Sequence, residues 1–408
     1  YEIRVVKLQT QININNRFYN NTLNNNTMGI CLDRGSSHNK LKHNEVYNSS
    51  LAGLVMSGST FFNTINHSDF INNNYGIFIG RSYENRFENL NVSNNVYVDF
   101  MVDPVFDSNE FCRNNFYENT IEITGGTNLG LIRDSNLLID PDFLASVGML
   151  GGILPMTQVI FCGQNITLRD VIHEGDSSLR NNGIFFMGNG TRRIITVDNL
   201  TSSNVMAGVY VQLSKNVIIQ NSTFTNNRNG IMLNSVENGD VSNNRFENNT
   251  ALGTLVMTSP GYLARLAYED LGIFDSDYEF YILTSEVNID DNVFINTGDG
   301  TSMEKAYPLT ADAVAGGFLA TFLDMSTGSA ISNILTSDVG INNNVIYNTS
   351  TYGIYSYFVR NASFIGNEID LINNITGFNV DGLDFGSSGE GYEEAVSYTH
   401  LTLPTKRI

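Results

Sequence analysis

An apolar residue is followed by Asn two positions later, by a second apolar at five and by Asn again at seven, and this ladder recurs roughly every 22 to 28 residues. Leu41, His43, Val46, Asn48 is one copy, and Ile65, His67, Phe70, Asn72 is the next. Phe87, Asn89, Val92, Asn94 and Cys112, Asn114, Tyr117, Asn119 follow, then Ile219, Asn221, Phe224, Asn226 and Val241, Asn243, Phe246, Asn248. Ile289, Asp291, Phe294, Asn296 and Ile341, Asn343, Ile346, Asn348 complete the series. A Gly followed by an apolar residue usually closes a copy, as in Gly29-Ile30, Gly53-Leu54, Gly76-Ile77, Gly230-Ile231 and Gly353-Ile354.

The period is too short for most helical repeats, and the apolar spacing is not helical. Triplets such as Ile30-Cys31-Leu32 and Ile77-Phe78-Ile79 read as short buried strands. Three strands of about four residues and three bends use up one repeat. Such a unit cannot bury its apolar face alone, so successive units coil into a parallel stack with about 4.8 Å between rungs. Asn and Gly tolerate the left-handed backbone of bends, and stacked Asn side chains can bond along the stack. The expected fold class is all-β, a right-handed parallel β-helix with irregular inserts.

The runs Asn216 to Leu233 and Asn238 to Asn249 carry the pattern most cleanly. They resemble the right-handed parallel β-helix superfamily, and within it the NosD-type repeats of periplasmic and archaeal surface proteins. The resemblance covers about 1–120 and 160–250, then 287–298 and 340–375 less regularly. It implies a fold, and it implies an activity far less.

One coil over 1–394 is expected, interrupted by inserts at about 121–157, 258–286 and 299–338. A further irregular stretch at 99–111 holds Asp99, Asp103, Pro104 and Asp107. Residues 395–408 abandon the ladder and resemble translated adapter sequence, so they are expected outside the coil. A chain that begins at Tyr1 reads as a fragment or a trimmed mature protein.

Charged residues are 16% of the chain and the net charge is −20, which argues against a nucleic-acid partner. The same charge suits solubility, and it is compatible with calcium as a cofactor or with a cationic ligand. No apolar stretch of about 18 residues exists, so no membrane span is expected. Cys31, Cys112 and Cys162 fit no zinc spacing and read as buried thiols. Sequons such as Asn48-Ser49-Ser50 and Asn361-Ala362-Ser363 permit glycosylation. The expected location is extracellular, cell-surface or periplasmic.

Function usually sits where a regular scaffold is interrupted. The 258–286 insert begins Ser259-Pro260-Gly261, and Leu263, Leu266 and Ala267 then share a helical face. Together with 299–338 it flanks the rung at 287–298, and the two inserts either wall a groove or simply cover the coil. A groove would bring Tyr262, Tyr268, Asp275, Asp277, Tyr278, Glu279 and Tyr281 beside Asp290. Flat rings beside carboxylates suit sugar recognition, and paired carboxylates suit acid–base work. Asp290-Asp291 reads first as ordinary bend chemistry before Asn292, with calcium as the alternative.

His43 and His67 share a ladder slot on consecutive rungs. They read first as bend residues standing in for Asn. Read as a metal pair, they fit the copper-site maturation that the NosD resemblance implies. His173 falls in an inward Phe slot, which indicates either a register shift or a buried imidazole held charged by Asp170, Glu174 and Asp176. The pectate-lyase W-x-D-H signature is absent, since the chain has no Trp. Of the polygalacturonase motifs only an isolated Asp290-Asp291 matches. The leading expectation is non-catalytic recognition of a polysaccharide or glycoconjugate. A carbohydrate-active enzyme (lyase, hydrolase or epimerase) and a NosD-like metal-handling factor are the alternatives.

Overall fold

A computed structural model of the chain describes residues 6–7, 14–57, 60–80, 82–96, 98–102, 120–124, 128–129, 159–162, 165–175, 183–187, 192–205, 207–258, 283–298, 329–349, 352–370, 378–381 and 397–398. Two compact units, Tyr1–Val209 and Tyr210–Ile408, are each described by themselves. Among the described residues the regular structure is β-strand, paired in parallel, as a right-handed parallel β-helix.

In the first unit each turn has three short strands, one on each of three faces. Face 1 stacks Met28–Leu32, Ala52–Met56 and Tyr75–Ile79, with Ile30, Leu54 and Ile77 in register. Face 2 stacks Arg17–Tyr19, Lys40–Lys42, Thr64–Asn66 and Asn85–Glu88, with Leu41, Ile65 and Phe87 in register. Face 3 stacks Thr22–Asn24, Glu45–Tyr47, Asp69–Ile71 and Asn91–Ser93, with Leu23, Val46, Phe70 and Val92 in register. These registered side chains are at most 3% exposed. Side chains alternate across a strand, so their sequence neighbours face outward.

The second unit repeats the plan. Asn229–Ser242 pairs with Leu252–Met257 along its first half and with Thr284–Asp290 along its second, so it spans faces 1 and 2. Ser329–Asn342 does the same one rung later. On face 3, Phe224, Phe246 and Phe294 stack with ring centroids 5.1 and 4.5 Å apart and planes within 14° and 4°. Gly253 lies against this column: a Cβ there would sit 2.5 Å from the Ala330 carbonyl oxygen and 2.6 Å from Phe294 Cδ1. The closing glycine therefore leaves room for the next rung.

The bends follow one rule. The ladder's Asn, His or Asp takes a left-handed backbone, as at His43 (φ 54°), Asn48 (53°), Asn221 (53°), Asn243 (56°) and Asp291 (57°). The residue after it turns into the corner and is buried: Asn44, Ser49, Ser222, Asn244 and Asn292 are at most 2% exposed. The expected amide stacking occurs at the bend itself, where Asn348 Nδ2 donates to Asn296 Oδ1 (2.7 Å) and Asn296 Nδ2 to Asn248 Oδ1 (3.2 Å), and a second, buried ladder runs through the adjacent residue. Asn292 is accordingly a buried ladder residue, and Asp291 makes the bend.

The ladder amides bond to the rungs on either side, and Asn63 is fully used. Asn63 donates through Nδ2 to Asn85 Oδ1 (3.0 Å) and to the Ser36 carbonyl (3.1 Å). Its own Oδ1 accepts from the Asn39 backbone N–H (3.0 Å) and Nδ2 (2.9 Å). Asp99 belongs to this system: fully buried, it accepts from Asn95 N–H (3.2 Å) and Nδ2 (2.6 Å). The irregular stretch expected at 99–111 thus begins with a strand, Val98–Val102.

The ladder copy at Cys112 to Asn119, the 121–157 insert beyond its strand ends, and most of 259–328 lie outside the described residues. From 395–408, Ser397–Tyr398 pair with Phe364 and Ile365. Cys31 departs from the expected burial: it is half-buried on the outward side of face 1, in register with Val55. Among the described residues no helix is long and apolar enough to cross a membrane.

Candidate functional site on the outward faces of the coil

A ligand face has to be open. On face 1 of the second unit the outward residues Met232, Leu255, Ser332 and Tyr355 are at most 2% exposed, so that surface is closed. Face 2 of the first unit is open. Its outward residues form two columns: Arg17, Lys40, Thr64 and Arg86, and beside them Tyr19, Lys42, Asn66 and Glu88. Parallel pairing holds the members of each column one strand spacing apart, about 4.8 Å.

Two bend corners border this face. At one, His38 and Phe62 take left-handed backbones (φ 55° and 54°) on successive rungs. Their rings lie 5.1 Å apart, and Phe61 meets Phe62 edge-on at 5.6 Å. Phe62 is 46% exposed. A left-handed backbone costs a bulky L-residue about 1–2 kcal/mol, and here it displays an aromatic ring to water. At the other corner, His43 and His67 are neighbours, with ring centroids 5.2 Å apart and a 51° tilt. His67 Nδ1 contacts Asn66 Oδ1, and Asn66 Nδ2 donates to Glu88 Oε2 (2.7 Å). Both imidazoles are exposed. Among the described residues no three His, Cys, Asp or Glu side chains are grouped to hold a metal.

Face 3 of the first unit carries acids. Glu45 and Asp69 are in register on adjacent strands, with Tyr47 two residues beyond Glu45. Partial burial, and then the Glu45 charge, raise the Asp69 carboxyl above its ordinary range. Burial also raises the Tyr47 hydroxyl, with Glu45 and Asp69 adding to it.

Of the residues expected to form the insert groove, Tyr262, Tyr268, Asp275, Asp277, Tyr278, Glu279 and Tyr281 lie outside the described residues. Asp290 is half-buried on face 2 of the second unit, in register with Ser242 and Asn342. Burial raises its carboxyl most, Asp240 and Asp291 add to this, and the Asn342 hydrogen bonds oppose it. The first insert has a closed neck: Thr284 N–H donates to Thr258 Oγ1 (2.9 Å), and Thr284 Oγ1 donates to the Met257 carbonyl (2.5 Å). That neck is at the corner between faces 1 and 2, whereas the chain after Gly298 rejoins the coil at Ser329, where face 1 begins. Asp290 is six residues along its strand from the neck, roughly 20 Å.

His173 is not a register shift. It sits inward on face 3 between Leu129 and Ser202 and is fully buried. Burial pushes its pKa down to about 3, so it is neutral rather than held charged by neighbouring acids. Nδ1 lies 3.4 Å from Ser202 Oγ, and Nε2 has no partner among the described residues.

Sequence reasoning missed Phe61, Phe62, Lys40 and Lys42, and it weighed His38 only as the one further histidine near His43 and His67. A signal existed: Phe62 stands where Asn15, His38 and Glu84 make the same bend on other rungs, and an aromatic in a bend slot has no local reason to be there. A model of the right-handed β-helix region matches residues 9–137, 159–267 and 182–314, more than half of the chain. No curated protein matches the chain.

Proposed function

The chain belongs to the right-handed β-helix family, and from that premise we propose that it is a secreted or cell-surface protein that recognises a polysaccharide or glycoconjugate without turning it over. The observation that carries this reading is the exposed Phe62 ring, tilted against His38 and bordering an open face of hydrogen-bonding side chains. Sugar rings present an apolar C–H face to an aromatic and hydroxyls to flanking amides and charges. Thr64 and Asn66 supply the polar partners on that face. Rungs spaced at about 4.8 Å repeat those groups along one axis, as an extended polymer needs.

A glycan array with the purified chain tests the proposal, with Phe62→Ala beside it. Binding that falls roughly tenfold in Phe62→Ala, with an unchanged thermal midpoint, supports the face 2 assignment. The insert residues are the competing location: a fall in Tyr278→Ala/Tyr281→Ala with Phe62→Ala unaffected would move the site there.

Glu45 and Asp69 favour a second reading, a carbohydrate-active enzyme. Two carboxylates on adjacent strands, one holding its proton more tightly, are the components of acid–base glycoside chemistry. Turnover of any glycan that disappears in both Glu45→Gln and Asp69→Asn would establish it over the non-catalytic reading.

A further inference from the structure

We infer that face 2 of the first unit binds a negatively charged polysaccharide, with its anionic groups held by Arg17, Lys40 and Lys42. This rests on the recognition reading above and narrows its ligand.

The charge arrangement carries the argument. Arg17 and Lys40 are directly in register on adjacent strands, and Lys42 projects from the same face two residues along. Like charges stacked across a ladder repel, so folding alone gives no reason to place them there. Four other cations on the sheet faces are neutralised, while Arg360, at the end of its strand beside Ser337, has no ion pair among the described residues. Arg86 meets Glu88 at 2.8 Å and Arg169 meets Asp198 at 3.4 Å. In the second unit Lys215 meets Glu237 at 2.5 Å and Arg245 meets Glu247 at 3.0 Å. Arg17, Lys40 and Lys42 form no ion pair with any described residue. On a chain with 42 acids against 22 bases, three uncompensated cations on one open face are a local reversal of sign. A cluster of unpaired like charges on a scaffold that pairs most of its cations points to function.

The surroundings specify the ligand further. Thr64 and Asn66 continue the two cationic columns with neutral hydrogen-bonding groups, and His38 and Phe62 border them with rings. Cations, amides and a flat ring on one rigid lattice match a polymer whose sugar units bear carboxylate, sulfate or phosphate groups. A small free anion would use only the cations.

The test uses the purified full chain with alginate, dextran sulfate, neutral dextran and single-stranded DNA as probes, measured calorimetrically at low and moderate salt. Alginate or dextran sulfate should bind, and whichever binds more tightly distinguishes carboxylate from sulfate. Affinity should fall roughly tenfold or more as salt screens the contacts. Lys40→Gln/Lys42→Gln should lose a similar factor with no loss of thermal midpoint, because removing like charges relieves repulsion. Equal binding of neutral dextran by the chain and by this variant would overturn the anionic inference and leave glycan recognition standing. DNA bound as tightly as the charged polysaccharides would overturn the assignment to a glycan. No binding to any glycan would overturn both readings.

Discussion

Asn244 donates its side-chain amide to Asn292 Oδ1 at 3.0 Å, although 48 residues separate the two in sequence. Asn292 bonds onward to Asn344 Oδ1 at 3.1 Å across a further 52 residues. The ladder thus runs uninterrupted past both long inserts. Thr258 and Thr284 pin the ends of the first insert together, so the next rung begins where the last one left off.

Asn292→Ala is expected to destabilise the coil by about 3–5 kcal/mol, because it removes the acceptor of the buried Asn244 N–H and of one of its amide hydrogens, and the side-chain donor to the Val241 carbonyl. Asn343→Gly, at an exposed left-handed bend, should change stability by less than about 1 kcal/mol. Urea unfolding of the two variants checks the contrast. Equal losses would mean that bend and ladder slots are not separate.

Phe246 is held between Phe224 and Phe294, so truncation leaves a gap with rings on both sides. Phe246→Ala should cost about 3–5 kcal/mol, and Phe246→Asp more, since it buries a carboxylate with no partner. The loss of the unfolding midpoint in denaturant measures both.

His173 makes stability depend on pH in a defined direction. Its folded pKa, about 3, lies below the unfolded 6.5, so folding favours the neutral ring. That contribution is fully present above about pH 6.5 and is lost as pH falls towards 3, by about 1.4 kcal/mol per pH unit. His173→Leu should flatten this part of the acid-unfolding curve. A curve of unchanged slope would mean the imidazole is solvated in the native state.

His43 and His67 are neighbours, as their shared slot required, yet each makes a left-handed bend of the kind Asn makes elsewhere. Copper or zinc is therefore expected to leave the melting temperature unchanged, and His43→Asn/His67→Asn should keep the fold. A metal-dependent rise that the double change removes would instead establish a metal site by linkage.

Much of the coil is legible from the ladder alone. Val46, Phe70 and Val92 stack as their spacing requires, and Phe224 stacks on Phe246. The candidate ligand face was not legible in this way. Lys40 and Lys42 look like ordinary polar alternation around Leu41, and only register shows that Lys40 lies beside Arg17 with no acid between them.

Sequence by itself therefore determined the fold class, the inward columns and the bend positions. Those depend on the local period of apolar residues and on which side chains tolerate a left-handed backbone, and both properties travel with the chain. The tertiary structure alone decided that the residue after each bend forms the buried ladder, that His173 is neutral, and which outward face is open. Burial, desolvation and cross-rung pairing arise between residues some 22 to 52 positions apart, and they exist only once the rungs are stacked.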